Sequence, residues 1–149
     1  MTRHYLMISL CIACISCGVK RHLPAGEKLY DGAEIVVELA PEVKGSSSSF
    51  RKKLAGITKP KKNKMFLGRP NKVWWWYFIG ESKKEKSFKA WLRGKLGQEP
   101  VLSSNIDPVK NASNLQAYLQ NHGHFNSQVT GDTISKGHKI KAVYHVKVE

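Results

Sequence analysis

The sequence predicts an α+β domain in which helices cover one face of a small sheet. Apolar residues alternate in one segment near the start and in two segments near the end, which is typical of half-buried strands. Capping residues and helical spacing mark helices between them. The predicted order is strand, helix, helix, strand, strand, with a long basic and aromatic-rich insertion between the helices. A chain of 149 residues has the length of about one domain.

The first 28 residues predict an export signal followed by a tether. A basic start precedes twelve uncharged residues, 5–16, which are too few to span a bilayer that needs about 20. The segment Cys14–Cys17 resembles the lipobox of bacterial lipoproteins. We therefore expect a lipoprotein signal peptide at 1–16, acylation of Cys17 and a lipidated tether at 17–28. Cys14 is a second candidate for acylation, and a Cys-rich apolar helix or a CxxC redox or metal pair is the alternative.

The predicted domain begins with a strand and a short helix. Leu29–Leu39 alternates between apolar and polar residues, with an interruption at Asp31. Pro41 and the glycine-serine run at 45–49 end this strand, and a serine before Phe50 is a suitable cap for a helix that Pro60 stops.

The insertion, predicted at 59–105, contains most of the charge. Residues 59–71 predict a basic loop, 73–79 predict a buried strand or wedge, and Phe88–Leu96 predicts a basic amphipathic helix stopped by Gly97. Residues 51–96 hold fifteen lysines and arginines against two glutamates, a net charge of +13 out of +14 for the whole chain. Such a surface attracts polyanions.

Aromatic residues interleave with these basic ones and form a candidate contact surface. Rings of this kind favour membrane interfaces, and each nearby basic side chain strengthens binding to anionic lipid. Core packing with a solvated basic face and binding of single-stranded nucleic acid are the alternatives. The residues predicted for membrane or partner contact are Trp74, Trp75, Trp76, Trp91, Lys83, Lys84 and Arg93.

The last third of the chain predicts a helix and a hairpin. Asp107 before Pro108 is a helix cap, and apolar residues at helical spacing continue to a stop at Gly123. Residues 125–129 alternate as a short strand, a turn follows at 135–137, and residues 140–148 alternate as the last strand.

Element order and local sequence resemble a POTRA domain, within the N-terminal region of TamL-type lipoproteins, the TamA-like branch of the BamA/TamA outer-membrane assembly superfamily. The helix-to-strand join is the most specific part, because Gly123 permits a tight reversal and Phe125 is expected to drop into the core. Four segments carry the resemblance: 17–30 (CGVKRHLPAGEKLY), 59–68 (KPKKNKMFLG), 91–102 (WLRGKLGQEPVL) and 114–125 (NLQAYLQNHGHF).

This resemblance implies a docking platform at the outer membrane, lipid-anchored and facing the periplasm. POTRA modules add strands of substrates or partners to a sheet edge, which here would be 29–39 or 125–130. The implied partners are outer-membrane lipid, nascent outer-membrane or surface proteins and TamB-like or other assembly subunits, with no nucleic acid. His124 replaces the usual Tyr, and family members continue into further POTRA repeats and a barrel, so we expect either a fragment or a free-standing relative.

No catalytic, metal or cofactor site is predicted. The histidines at 122 and 124 lack a carboxylate at partner spacing, and no serine, cysteine or lysine has a neighbour that would activate it. Two other functions stay open. One is a small basic nucleic-acid-binding protein, and the other is a stand-alone membrane-anchored adaptor.

Overall fold

The computed structural model describes residues 19–67, 69–84 and 86–149. The predicted signal peptide, Cys14 and the proposed lipidation site Cys17 lie outside the described residues. The elements within them are a 3₁₀ turn (Lys20–His22), β1 (Leu29–Leu39), α1 (Ser47–Ile57), α2 (Asn71–Ile79), α3 (Phe88–Leu96), a second 3₁₀ turn (Ser103–Asn105), α4 (Pro108–Asn121), β2 (Gln128–Lys136) and β3 (Lys139–Val148).

The chain divides into two compact units. The sheet unit comprises Glu27–Lys62 and Val101–Glu149, and the aromatic unit comprises Asn63–Pro100 with the residues before Glu27. The sequence predicted an insertion at 59–105, and the compact segment at Asn63–Pro100 falls inside those bounds.

The strands form a mixed sheet in the order β1-β3-β2. β1 runs parallel to β3, with Leu39 opposite Val148, whereas β2 runs antiparallel to β3, with Val129 opposite Val146. The two-residue turn Gly137–His138 joins β2 to β3. Four α-helices and this three-stranded sheet confirm the predicted α+β class.

An irregularity in β1 explains why its apolar pattern is interrupted at Asp31. Asp31 and Gly32 together lie opposite the single residue Lys141 of β3. A bulge of this kind adds one residue to the strand and shifts the side-chain alternation by one. Tyr30 therefore packs in the same core as Ile35, although one is even and the other odd in number.

The core of the sheet unit lies between one face of the sheet and helices α1 and α4. Leu54 of α1 and Leu115 and Leu119 of α4 are fully buried against it. The alternation predicted for β3 is confirmed, since its even-numbered residues from 142 to 148 are buried. The complete cluster is Tyr30, Ile35, Val37, Leu54, Ala112, Leu115, Leu119, Val129, Ala142, Tyr144, Val146 and Val148.

The predicted helix caps of the sheet unit are confirmed. The Ser46 hydroxyl accepts the Ser49 N–H at 3.3 Å and begins α1. The Asp107 carboxylate accepts the Lys110 N–H at 2.9 Å and begins α4, whose first residue is Pro108. Each cap satisfies an amide that the first turn of a helix leaves without a partner.

Residues 71–79 form a helix, so the predicted strand or wedge at 73–79 was wrong. A short run of apolar residues has no period that separates a strand from a helix, and aromatic and β-branched residues favour strands. Gly80 ends the helix with a φ of +68°, and its N–H donates to the Trp76 carbonyl. Because successive helical residues are about 100° apart, Trp74, Trp75 and Trp76 point in three directions.

The join between α4 and β2 also differs from the prediction. β2 begins at Gln128 rather than at Phe125, and it continues through the predicted turn as far as Lys136. Phe125 does not pack in the core, since 73% of its surface is exposed. The chain is still turning at residues 125–126, so the alternation that buries Ser127 and Val129 does not reach back to Phe125. Gly123 does adopt a positive φ, +90°.

Candidate functional site

The two outer strands of the sheet, β1 and β2, differ in the partners of the backbone N–H and C=O groups that face away from β3. On β1 the Tyr30 N–H donates to the Val101 carbonyl at 2.8 Å, and Leu29 forms an antiparallel bridge with Leu102. The bulge at residues 31–32 follows directly. The first part of β1 is therefore covered and irregular, which are two ways in which proteins protect a sheet edge.

β2 forms the opposite edge over nine residues. The Thr133 N–H donates to the Asp132 Oδ1 at 2.6 Å, so it points away from β3. Because orientation alternates along a strand, the backbone groups of Val129, Gly131 and Ser135 point outward as well. Within the residues that the structure describes, no strand or bridge pairs with this edge.

Gly131 marks the closest approach of β2 to α4. A Cβ at this position would lie 2.5 Å from the Pro108 carbonyl oxygen and 3.0 Å from the Tyr144 Cε1. Only glycine fits there without displacing the backbone. The contact positions the middle of β2 against the start of α4.

In the aromatic unit, α2 and α3 pack side by side in antiparallel orientation. The Gln98 N–H, just after α3, donates to the Lys72 carbonyl at the start of α2 at 2.9 Å. A Cβ on Gly97 would lie 3.0 Å from the Trp76 Cα, so the two backbones approach closely. We call α2, α3 and the turn between them, residues 71–96, the aromatic hairpin.

Trp76 and Arg93 contact each other inside the aromatic hairpin. The guanidinium carbon of Arg93 lies 3.7 Å from the ring centroid of Trp76, a cation–π distance. The Arg93 Nε is buried and makes no hydrogen bond within the described part of the chain. Both residues belong to the set predicted for membrane or partner contact, and the structure shows them packing together between the helices.

Other rings of the aromatic hairpin are open to solvent. The exposed fractions are 37% for Trp75, 65% for Phe78, 76% for Phe88 and 56% for Trp91. Phe78 stacks on Trp74 at 4.8 Å between ring centroids, and Phe88 stacks on Trp91 at 5.6 Å. The predicted contact set did not include Phe78 and Phe88, although Phe78 lies in the same segment as Trp75 and Phe88 on the same helix as Trp91; the structure shows both rings exposed.

The turn of the aromatic hairpin carries the predicted contact residues Lys83 and Lys84, both exposed. The Ser82 hydroxyl donates to the Lys84 carbonyl at 2.9 Å, and the Ser87 hydroxyl accepts the Ala90 N–H at 3.1 Å to begin α3. Residues 63–100 together contain nine lysines and arginines and three glutamates, a net charge of +6.

Two tyrosines and two histidines of the sheet unit are engaged in packing or hydrogen bonding. Burial raises the pKa of Tyr30 to about 12 and also raises the pKa of Tyr144, so both hydroxyls stay protonated. His122 Nδ1 lies 2.8 Å from a carbonyl oxygen of α4, and the His124 ring packs edge-on against an aromatic side chain of α1. In residues 19–67, 69–84 and 86–149, no three His, Cys, Asp or Glu side chains form a group that could hold a metal ion.

Among the described residues, no helix has both the length and the apolar character that crossing a bilayer requires. No protein-family model matches the chain. A search of the curated proteins and a search of the solved structures find no similar protein. Within the described residues, the candidate functional surfaces are the β2 edge and the aromatic hairpin.

Proposed function

We propose that the sheet unit is a POTRA-like docking domain of an outer-membrane assembly factor, and that it binds an extended segment of a client chain along the outer edge of β2. The observation that carries this proposal is the row of outward backbone groups at Val129, Gly131, Thr133 and Ser135, which no described strand pairs. A strand added at an edge is held by main-chain hydrogen bonds. Such binding tolerates many client sequences, as assembly of different outer-membrane or surface proteins requires.

The contrast between the two edges favours β2 over β1 as the docking edge. On β1 the Tyr30 N–H donates to a backbone carbonyl of another segment, and the bulge at residues 31–32 interrupts the ladder, whereas the Thr133 N–H of β2 is held by the neighbouring Asp132 side chain, which an incoming strand can displace. β2 pairs with β3 in unbroken register from Gln128 to Lys136. A regular strand presents evenly spaced groups to an incoming chain, whereas a bulged strand does not.

The order of elements supports the POTRA-like assignment. The sheet unit has strand, helix, helix, strand, strand in sequence, with the aromatic unit inserted between α1 and α4. This is the order that the resemblance to TamL-type lipoproteins implies. TamB-like or other assembly subunits are further partners under the same proposal.

The proposed anchor is an acylated Cys17 in the outer membrane, with the sheet unit facing the periplasm. The segment from Gly18 to Gly26 has nine residues, each of which spans at most about 3.5 Å. A tether this short would keep the sheet unit close to the lipid, where client chains arrive.

Binding of a synthetic peptide tests the edge. The probe is a ten-residue peptide with alternating apolar and polar residues, the pattern of a barrel strand, added to the ¹⁵N-labelled chain. We expect the amide signals of residues 129–135 to shift and their hydrogen exchange to slow. Thr133→Pro removes an outward N–H that β3 does not use and should abolish binding, whereas Thr133→Ala keeps the N–H and should bind normally. Equal binding by both variants, or shifts confined to β1, would refute β2 as the docking edge.

Intact mass tests the anchor separately. The protein is purified from a bacterial membrane fraction beside a Cys17→Ala variant. A mass equal to residues 17–149 plus acyl chains, lost in the variant together with membrane association, is expected. An unmodified full-length mass from the soluble fraction would rule out the lipoprotein and favour the basic nucleic-acid-binding alternative.

A further inference from the structure

Several large apolar side chains of the aromatic unit are exposed to solvent. Among its described residues Val73 is fully buried, whereas several larger apolar side chains on and near its helices are exposed to solvent. Large apolar residues that lie exposed near one another are typical of interaction surfaces. The exposed residues are Phe66, Leu67, Trp75, Phe78, Phe88, Trp91 and Leu96.

The exposed rings are already paired with one another, which bears on the kind of partner. Trp74 and Phe78 are stacked with 14° between their planes, and Phe88 and Trp91 are stacked with 25° between theirs. The face of Trp76 is covered by Arg93. Stacking of nucleobases uses free ring faces, and each pair already occupies one face of each ring. An apolar partner can cover the remaining faces and the ring edges together.

The positive charge around these rings restricts the class of partner further. Nine basic side chains against three acidic ones give residues 63–100 a net charge of +6. A second copy of the same surface would repel this charge, whereas an anionic lipid surface would attract it. Trp and Lys side chains suit the interface of a bilayer, where an apolar body enters the lipid and a polar end stays at the headgroups.

We propose that the aromatic hairpin binds an anionic bilayer through the exposed rings of its two helices. Trp75 and Phe78 enter from α2, and Phe88 and Trp91 enter from α3. Lys83 and Lys84, in the turn, contact the headgroups. Trp76 and Arg93 stay inside the hairpin and stabilise the pairing of the helices. This binding is separate from acylation of Cys17 and from docking at β2, so it can fail or succeed independently of them.

Partition into lipid vesicles tests the proposal. The full chain carries Cys17→Ala, so that no acyl chain contributes, and the vesicles contain phosphatidylglycerol and phosphatidylcholine in equal parts. Replacing Trp75, Phe78, Phe88 and Trp91 together by serine should weaken partition by about tenfold or more, because each inserted ring adds buried apolar area. The matched control replaces Val109, Phe125 and Ile134, the exposed large apolar residues of the sheet unit, by serine and should change partition by less than about twofold.

Fluorescence quenching by brominated lipid gives a second readout that needs only conservative changes. Trp75→Phe should remove a large part of the quenchable emission, whereas Trp76→Phe should leave the quenchable part in place. Far-UV circular dichroism checks that each variant keeps its helices. Quenching therefore reports which rings insert even where the fourfold variant loses its fold.

Three results would overturn the proposal. The first is equal partition of the fourfold serine variant and the parent chain. The second is binding to single-stranded oligothymidine that exceeds binding to vesicles and is lost in the same variant, which would indicate a nucleic-acid site. The third is a concentration-dependent dimer that the fourfold variant abolishes, which would indicate self-association through these rings.

Discussion

The two units of the chain treat their apolar residues in opposite ways. In the sheet unit, helices α1 and α4 and the sheet enclose a dense set of aliphatic side chains and two tyrosines. In the aromatic unit, four rings of α2 and α3 are exposed, namely Trp75, Phe78, Phe88 and Trp91, and Val73 is buried. Apolar burial is the main favourable contribution to folding, so the sheet unit carries the interior that stabilises the protein. The aromatic unit carries a surface that a partner can cover.

This difference teaches that a high content of aromatic residues does not by itself indicate a core. Residues 73–79 are the most apolar run of the described chain, yet Trp75 and Phe78 remain exposed. Leu115 and Leu119 sit in a polar helix and are fully buried. Burial depends on which face of an element meets a neighbour, and the remaining faces are available for binding.

Replacing one leucine of each unit by alanine should give the largest difference in stability between the two units. Leu115→Ala leaves a cavity between α4 and the sheet and should lower the free energy of unfolding by about 2–5 kcal/mol. Leu96→Ala removes a side chain from an exposed position on α3 and should change it by about 0.5 kcal/mol or less. Unfolding in urea, followed by circular dichroism, measures both. Losses of similar size would contradict the difference in burial between the units.

Replacing Gly131 and Gly94 by alanine should change the free energy of unfolding in opposite directions. Gly131→Ala places a Cβ 2.5 Å from the Pro108 carbonyl oxygen and should destabilise the sheet unit by about 1–3 kcal/mol. Gly94→Ala, in the middle of α3, meets no atom within 4 Å and should stabilise that helix by about 0.5–1 kcal/mol. Thermal unfolding of the two variants beside the parent chain measures the shift. A stabilising Gly131→Ala would show that β2 and α4 are not in close contact.

The smallest expected effect is a pH dependence of the stability that comes from Glu27, the first residue of the sheet unit. The Ser103 hydroxyl and the Ser104 N–H donate to the Glu27 carboxylate, at 2.5 and 3.2 Å, and lower the pKa of Glu27. The folded state therefore favours the ionised form. Its contribution to stability is present above the pKa of the unfolded chain and is lost as the pH falls through the lower pKa of the folded state.

Glu27→Gln should accordingly lower the stability slightly at neutral pH and lose that deficit as the pH falls through the lowered pKa of Glu27 in the folded state. Urea midpoints of the parent and the variant at neutral pH and at successively lower pH measure the difference. Ser103→Ala removes the same hydrogen bond from the other side, together with the one that the Ser103 hydroxyl accepts from the Lys28 N–H, so the pH-dependent part of its deficit should show the same trend. A deficit that persists unchanged in acid would rule out a role for the ionised carboxylate.

Much of the sheet unit was predictable because its elements have clear periods and caps. The alternation of residues 29–39 and 140–148 and the Asp107–Pro108 start of α4 each match an observed element. The interruption at Asp31 was visible in the sequence, but its cause, a bulge opposite Lys141, depends on pairing with a strand more than 100 residues away. Local sequence does not contain that information.

The candidate site was less predictable for physical reasons. Residues 73–79 are apolar all round, so no period distinguished strand from helix or inside from outside. The resemblance to POTRA domains predicted Phe125 in the core, but the chain is still turning at residues 125–126 and the ring is exposed. The packing of Arg93 on Trp76 joins residues on two helices, and the sequence placed both on a binding surface. The predicted basic and aromatic character of the insertion stands, but which rings face outward required the structure.

Lys62 and Val101, the residues of the sheet unit that flank the aromatic unit in sequence, both lie beside the same short stretch of β1. The Lys62 side chain lies over Gly32, within 3.1 Å of where a Cβ would be, and the Val101 carbonyl accepts the Tyr30 N–H. The closure entropy of a loop grows only slowly with its length. The chain therefore leaves and re-enters the sheet unit beside one stretch of β1, and a change in the length of residues 63–100 should leave the register of the strands unchanged.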